Sequence, residues 1–156
     1  MVAGCIACSV GAGAIEAPGG CIVETDSWAA DHCVGPYGVG AVVIRTKEHI
    51  EDFWRLGEQA LAELGPLLRD VSAAIVDALG AERVYVTMWV DKQPHHVHMV
   101  VFPRWPSDQE RGPGLLAKHI AAGSPPAKEA AAAAALLREH LLRGTCLDGP
   151  ASSAVG

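Results

Sequence analysis

The sequence predicts an α+β fold: an antiparallel sheet of about five strands covered by one long helix, with a helical extension at the C-terminal end. Three observations carry this. Five short β-rich runs, separated by turn residues, fall within the first two thirds of the chain. Leu61, Leu64, Leu67, Leu68, Val71, Ile75, Val76 and Leu79 recur at helical spacing between Glu58 and Leu79. An Ala-rich stretch from Lys128 to Leu142, with Leu136, Leu137, Leu141 and Leu142, predicts a further helix.

Residues 1–9 carry Cys5-x-x-Cys8, and 11–20 read as a Gly/Ala/Pro loop. Cys21–Thr25 and Trp28–Cys33 flank Asp26-Ser27 and predict a hairpin. Gly35 to Gly38 is a loop, and Gly40–Arg45 a third strand buried on both faces. Ile50–Leu56 predicts a short helical segment that Gly57 interrupts. In the long helix, Gly65-Pro66 predicts a kink and Gly80 a C-terminal cap. Arg83–Val90 and His95–Phe102 read as a hairpin about a turn at 91–94. Leu115–Ile120 predicts a short helix. The organisation is one domain over 1–124, the extension over 125–143 and a disordered tail over 144–156. Trp28, Trp54 and Trp89 read as core, Trp105 as packing, and His119 and His140 as solvated.

A chain of 156 residues is long enough for one real core. Net charge of −6 argues against a nucleic acid polymer as partner, since phosphate backbones need a basic footprint. A small phosphorylated ligand needs only a few local donors. No apolar run is long enough to span a bilayer, and the start lacks the pattern of a secretory signal, so a cytoplasmic location is the expectation. Five cysteines, an odd number, argue against a disulfide framework.

Chemistry concentrates in Gln93–Arg104, where three of the seven histidines fall within four positions. Strand side chains alternate faces, so His96, His98 and Val100 share one, and Val97, Met99 and Val101 share an apolar other. Two imidazoles on one face of a buried strand are costly unless they meet a metal, a phosphate or each other. Cys5, Cys8, His49 and His96 together offer the Cys2His2 set of a structural zinc site, although each residue alone carries little weight.

The run His96-Val-His98-Met-Val100-Val-Phe-Pro-Arg104 resembles the histidine-triad signature, H-x-H-x-H-x-x-P-R with apolar x. Val42 to Asp52, with His49-Ile50, resembles that family's strand before its long helix, and Cys5-Ile-Ala-Cys8 resembles the opening of many bacterial members. The resemblance covers residues 1 to about 106. It implies a histidine-triad fold, zinc held by Cys5, Cys8, His49 and His96, and a homodimer. It implies His98 as a nucleophile toward the α-phosphate of a nucleotide-like substrate, with water or a second substrate resolving a nucleotidyl-histidine. Gln93 matches a polar phosphate contact, with a plain turn residue as its other reading. His32-Cys33 matches a His-Asp pair that meets the ribose, which makes His32 a substrate-side candidate.

Two departures stand out. Val100 replaces the third histidine, or the glutamine of transferase branches, and can neither donate a hydrogen bond nor carry a proton. Cys33 replaces the ribose-binding aspartate, and Asp31 is expected to point away by parity. The readings are therefore a hydrolase or nucleotidyltransferase, or a catalytically decayed zinc scaffold that binds a ligand or protein. A catalytic metal with three ligands and a water is a third, which four candidate ligands disfavour.

Overall fold

The computed structural model describes residues 2–145. Its centre is a five-stranded antiparallel sheet in the order β1-β2-β3-β5-β4. The strands are β1 (Cys21–Glu24), β2 (Trp28–His32), β3 (Val42–Thr46), β4 (Arg83–Thr87) and β5 (His98–Arg104). The β1-β2 hairpin forms about the predicted turn, β4 pairs with β5, and β3 against β5 joins the two halves.

Alternation along the strands divides the sheet into two faces. Trp28, Ala30, Val42, Ile44, Met99 and Val101 point to one side, where they pack on α2 (Glu58–Leu79). That helix spans the predicted residues and ends on Gly80, whose φ of 77° is the left-handed conformation that favours glycine. Pro66 does not divide it: the helix runs unbroken through that position. The N-terminal segment forms α1 (Ile6–Gly11), a short helix capped by the Cys5 side chain, none of whose residues is fully buried.

The C-terminal helices are α3 (Pro113–Ala122) and α4 (Ala127–Thr145). Leu115 and Leu116 of α3 join Cys33, Val100 and Phe102 in a smaller cluster on the opposite sheet face. α4 lies beside α2, and its Ala134 and Leu137 belong to the main core. Gly144 and Thr145 complete α4. The remaining tail residues, 146–156, lie outside the described part of the chain. No helix among the described residues is long and apolar enough to cross a membrane.

Several local expectations need correction. β4 stops at Thr87 and β5 starts at His98, so the connection covers residues 88–97 instead of a tight turn at 91–94. Just before β5, on the β3 side, the Val97 N–H donates to the Ile50 carbonyl at 2.7 Å and its carbonyl accepts from Thr46 at 3.2 Å. Ile50–Leu56 contains only a 3-10 turn, Phe53–Arg55. Trp28 is fully buried, but Trp54 and Trp89 are 80% and 53% exposed and are not core. Trp54 sits in the 3-10 turn before α2 and Trp89 in the 88–97 connection, outside the sheet and the long helices. His119 is half-buried and not solvated: its Nε2 is sealed without a partner, and its ring meets Phe102 edge-on at 6.3 Å.

Candidate active site and metal centre

Three elements bring the metal ligands together. Cys5 caps α1 and Cys8 lies in its first turn; His49 follows β3; His96 precedes β5. The donor atoms of the four residues all lie within 4.8 Å of one another. Cys5 Sγ is 3.4 Å from His96 Nδ1, and Cys8 Sγ is 3.4 Å from His49 Nδ1. Cys8 Sγ is 3.7 Å from His96 Nδ1, and the two Nδ1 atoms are 3.3 Å apart. Zinc bonds of about 2.3 Å to sulfur and about 2.0–2.1 Å to nitrogen imply tetrahedral edges of about 3.3–3.8 Å. Four of the six edges therefore have the length a tetrahedral zinc requires.

The surroundings prepare these donors. His96 Nε2 donates to the Thr46 carbonyl at 2.9 Å and lies 3.0 Å from the Thr46 hydroxyl, so Nδ1 keeps its lone pair for a cation. His49 turns Nε2 toward Glu51 at 3.4 Å. Burial holds the His96 pKa below the ordinary imidazole value, which favours the neutral ligand form. Burial pushes the Cys5 thiol up, while the Cys8 amide donating to its sulfur works the other way. A cation at this position would favour the thiolate outright. The donor set and its spacing are those of a structural zinc site.

A cleft of about 370 Å³ opens beside this centre, on the sheet face away from α2. Its floor comes from β2, β3 and β5. Arg45 lies directly across from His98 in the β3-β5 register, and Val43 across from Val100. Asp31 and Cys33 face the same cleft. One wall is the α1 segment with Ile6 and Val10; the opposite lip is the 88–97 connection with Trp89 and Gln93.

His98 is half-buried at the cleft floor. Its Nδ1 donates to the His96 carbonyl at 2.7 Å, which leaves the Nε2 lone pair as the free nucleophilic position. Gln93 sits at the lip with its amide 3.1 Å from His95. Val100 is nearly buried and gives the floor an apolar surface where a triad would offer imidazole.

The expectation for β2 was wrong about which side chain faces the cleft. His32 is fully buried and does not line it. Its Nδ1 donates to the Cys33 carbonyl at 3.1 Å, and its Nε2 accepts from the Gly40 amide at 3.0 Å. His32 shares the parity of Trp28 and Ala30, which pack on the α2 side. Asp31 and Cys33 share the other parity, so Asp31 does face the cleft. It is almost buried there and accepts a 2.9 Å hydrogen bond from Arg45 Nε–H. This ion pair was not anticipated, although Asp31 and Arg45 are the only charged residues in the two otherwise uncharged interior strands. Burial, with Asp31 adding to it, pushes the Cys33 thiol far up, so it stays neutral.

Comparison with protein-family models and with curated proteins finds no match. Solved structures do match. A Zn-bound histidine triad family protein from Mycobacterium smegmatis aligns over 92% of this chain and 97% of its own, with TM-score 0.68 and 19% identity. A hypothetical histidine triad nucleotide-binding protein from Sulfolobus tokodaii aligns over 89% and 93%, with TM-score 0.71 and 21% identity. A Hit-like protein involved in cell-cycle regulation from Bartonella henselae aligns over 90% and 98%, with TM-score 0.69 and 15% identity. The chain has the histidine-triad fold, including the C-terminal helical region that lay beyond the sequence resemblance.

Proposed function

We propose that this protein is a histidine-triad-type nucleotide hydrolase or nucleotidyltransferase that works through a covalent nucleotidyl intermediate on His98. One observation carries the reading: His98 donates its Nδ1 proton to the His96 carbonyl at 2.7 Å, inside a cleft large enough for a small ligand. That bond holds the tautomer whose Nε2 can attack. In the proposed step Nε2 bonds to the α-phosphorus, and the bond from phosphorus to the leaving oxygen or nitrogen breaks. Val100 has no proton to give, so the leaving group takes one from water. Water or a second acceptor then attacks phosphorus and frees His98.

Zinc is proposed at Cys5, Cys8, His49 and His96. The tetrahedral donor spacing supports it, as does the Zn-bound neighbour from Mycobacterium smegmatis. Its role is structural: all four positions come from protein, and the ion fastens the α1 wall of the cleft to the sheet. A homodimer is proposed along β4, an edge strand whose Val86 is 49% exposed. Val86→Lys is expected to halve the mass measured by light scattering. A mass unchanged from wild type would remove β4 from the interface.

The test of the chemistry is direct. After mixing with adenosine 5′-phosphoramidate or a dinucleoside polyphosphate and quenching, intact-mass analysis is expected to find a nucleotidyl adduct on the peptide containing His98. The adduct is expected to vanish in His98→Ala. Absence of an adduct and of turnover across such a panel would favour a binding scaffold instead, the reading to which Val100 points.

A further inference from the structure

We propose that Arg45, held by Asp31, is the anion clamp of this cleft: its guanidinium binds the non-bridging oxygens of the phosphoryl group that His98 attacks. The inference rests on the proposed reaction for the phosphoryl group and on independent geometry for the anion. Arg45 and His98 are directly paired across β3 and β5. Side chains opposite each other in an antiparallel pair leave on the same face with Cβ atoms about 4.5–5.5 Å apart. Arg45 and His98 therefore leave the same face of the sheet from adjacent strands, and both residues line the cavity.

A guanidinium has five N–H donors, and Asp31 accepts from Nε alone in the 2.9 Å bond. The terminal nitrogens reach toward Gly11 at the end of α1. A Cβ built on Gly11 would lie 3.0 Å from Nη1, so glycine there keeps room for the head group. A planar fork with one edge anchored is pre-aligned for the paired oxygens of a phosphoryl group. An ion pair at this depth adds little stability over apolar packing, and neighbouring Val43 and Val100 show that this floor accepts apolar side chains. Binding an anion gives the pair a use that packing does not.

The clamp also answers the loss at position 100. Attack by His98 Nε2 forms the nitrogen–phosphorus bond while the bond to the leaving group breaks, and negative charge stays on the non-bridging oxygens. Arg45 stabilises those oxygens and takes no proton. The cleft then selects first for the phosphoryl anion. With Cys33 neutral and Asp31 occupied by Arg45, it makes no strong demand on a sugar hydroxyl.

The experiment measures binding of AMP, adenosine and inorganic phosphate to the zinc-loaded protein by calorimetry. Four chains are compared: wild type, Arg45→Gln, Asp31→Leu/Arg45→Leu and His98→Ala. The double variant removes both charges, so it leaves no orphan if the single variant fails to fold. Wild type is expected to prefer AMP over adenosine by at least about tenfold, as charge-assisted bonds warrant. Both Arg45 variants should lose that preference, with adenosine affinity and zinc content unchanged, while His98→Ala keeps it. AMP binding by the double variant at wild-type strength would overturn the clamp, as would no anion preference in wild type. The adduct assay separates the two proposals. An adduct at wild-type rate without Arg45 would leave the His98 chemistry standing and sink the clamp. Anion binding through Arg45 without any adduct would do the reverse.

Discussion

Stripping the metal should release the N-terminal hook and leave the domain folded. The main core comprises Trp28, Ile44, Leu64, Val71, Ile75, Val101 and Leu137 among others, and no residue of the hook belongs to it. No residue of α1 is fully buried, and Cys5 is the one deeply buried residue of the segment. A helix of six residues is far too short to persist alone. Ordering roughly ten residues costs on the order of 10–20 kcal/mol in backbone entropy. Structural zinc binding contributes about 10–16 kcal/mol in small metal-dependent peptides, a matching scale. The hook should therefore be ordered with the ion and loose without it. Hydrogen exchange read by mass spectrometry, with and without a strong chelator, measures this. Amides of Ser9 and Ala12, which donate to the Cys5 and Cys8 carbonyls, should lose protection by a hundredfold or more, a change of about 2.7 kcal/mol in local opening. Amides in the middle of α2 should hardly change. Protection of the hook that survives chelation would refute the reasoning, and so would exposure of α2 along with it.

Three further outcomes follow from named contacts. Trp28→Ala removes a fully buried indole whose Nε1 donates to the Ala60 carbonyl at 2.8 Å, and should cost about 3–5 kcal/mol in urea unfolding; Trp54→Ala, at an exposed site, should stay within about 0.5 kcal/mol. Burial holds the His32 pKa below its unfolded value near 6.5, so below that pH the unfolded chain binds more protons and stability falls as pH falls through the folded value. Protonation would also end the Gly40 bond to Nε2, and melts from pH 7.5 to 5 should fall more steeply in wild type than in His32→Gln, whose zinc ligands are the same. Equal slopes would acquit His32. Val100→His restores a proton donor on the cleft floor and should raise single-turnover cleavage of adenosine 5′-phosphoramidate by at least about tenfold, within the usual range for general acid catalysis; an unchanged rate would mean that leaving-group protonation does not limit the reaction.

Much of the fold was written in periodicity. The α2 pattern is long, regular and closed by a glycine, and the helix matches it residue for residue. The Asp26-Ser27 turn fixed the first hairpin, and the alternation of Val97, Met99 and Val101 against His98 and Val100 fixed which side of β5 meets the core. What periodicity could not supply was the point where a strand pairing ends. β4 stops at Thr87, and residues 88–97 leave the ladder to form a lip of the cleft, which only the assembled sheet defines. The tryptophans misled for a related reason. A large apolar side chain is a strong core signal within a strand or long helix, and Trp54 and Trp89 lie in a single 3-10 turn and a connection.

The site divides along the same line. Ligand type and spacing made the metal cluster legible, since thiolates and imidazoles that tetrahedral coordination can use are scarce and chemically conspicuous. The free nitrogen of His98 followed from the need for an acceptor at its partner, which the His96 carbonyl supplies. The Asp31–Arg45 pair was harder, because Asp31 was expected to point away and Arg45, at the end of the third strand, has its partner on another strand. Their meaning arises from register: β2, β3 and β5 align Asp31, Arg45 and His98 on one face, a fact that no single strand contains. Counting parity from Cys33 would have put Asp31 beside it, two residues away and on the same side. Following that parity sets a fixed cation on the same cleft face as His98, where a sequence read strand by strand shows an imidazole followed by valine. If Arg45 is the clamp proposed above, the anion sits on that floor, whichever group it carries.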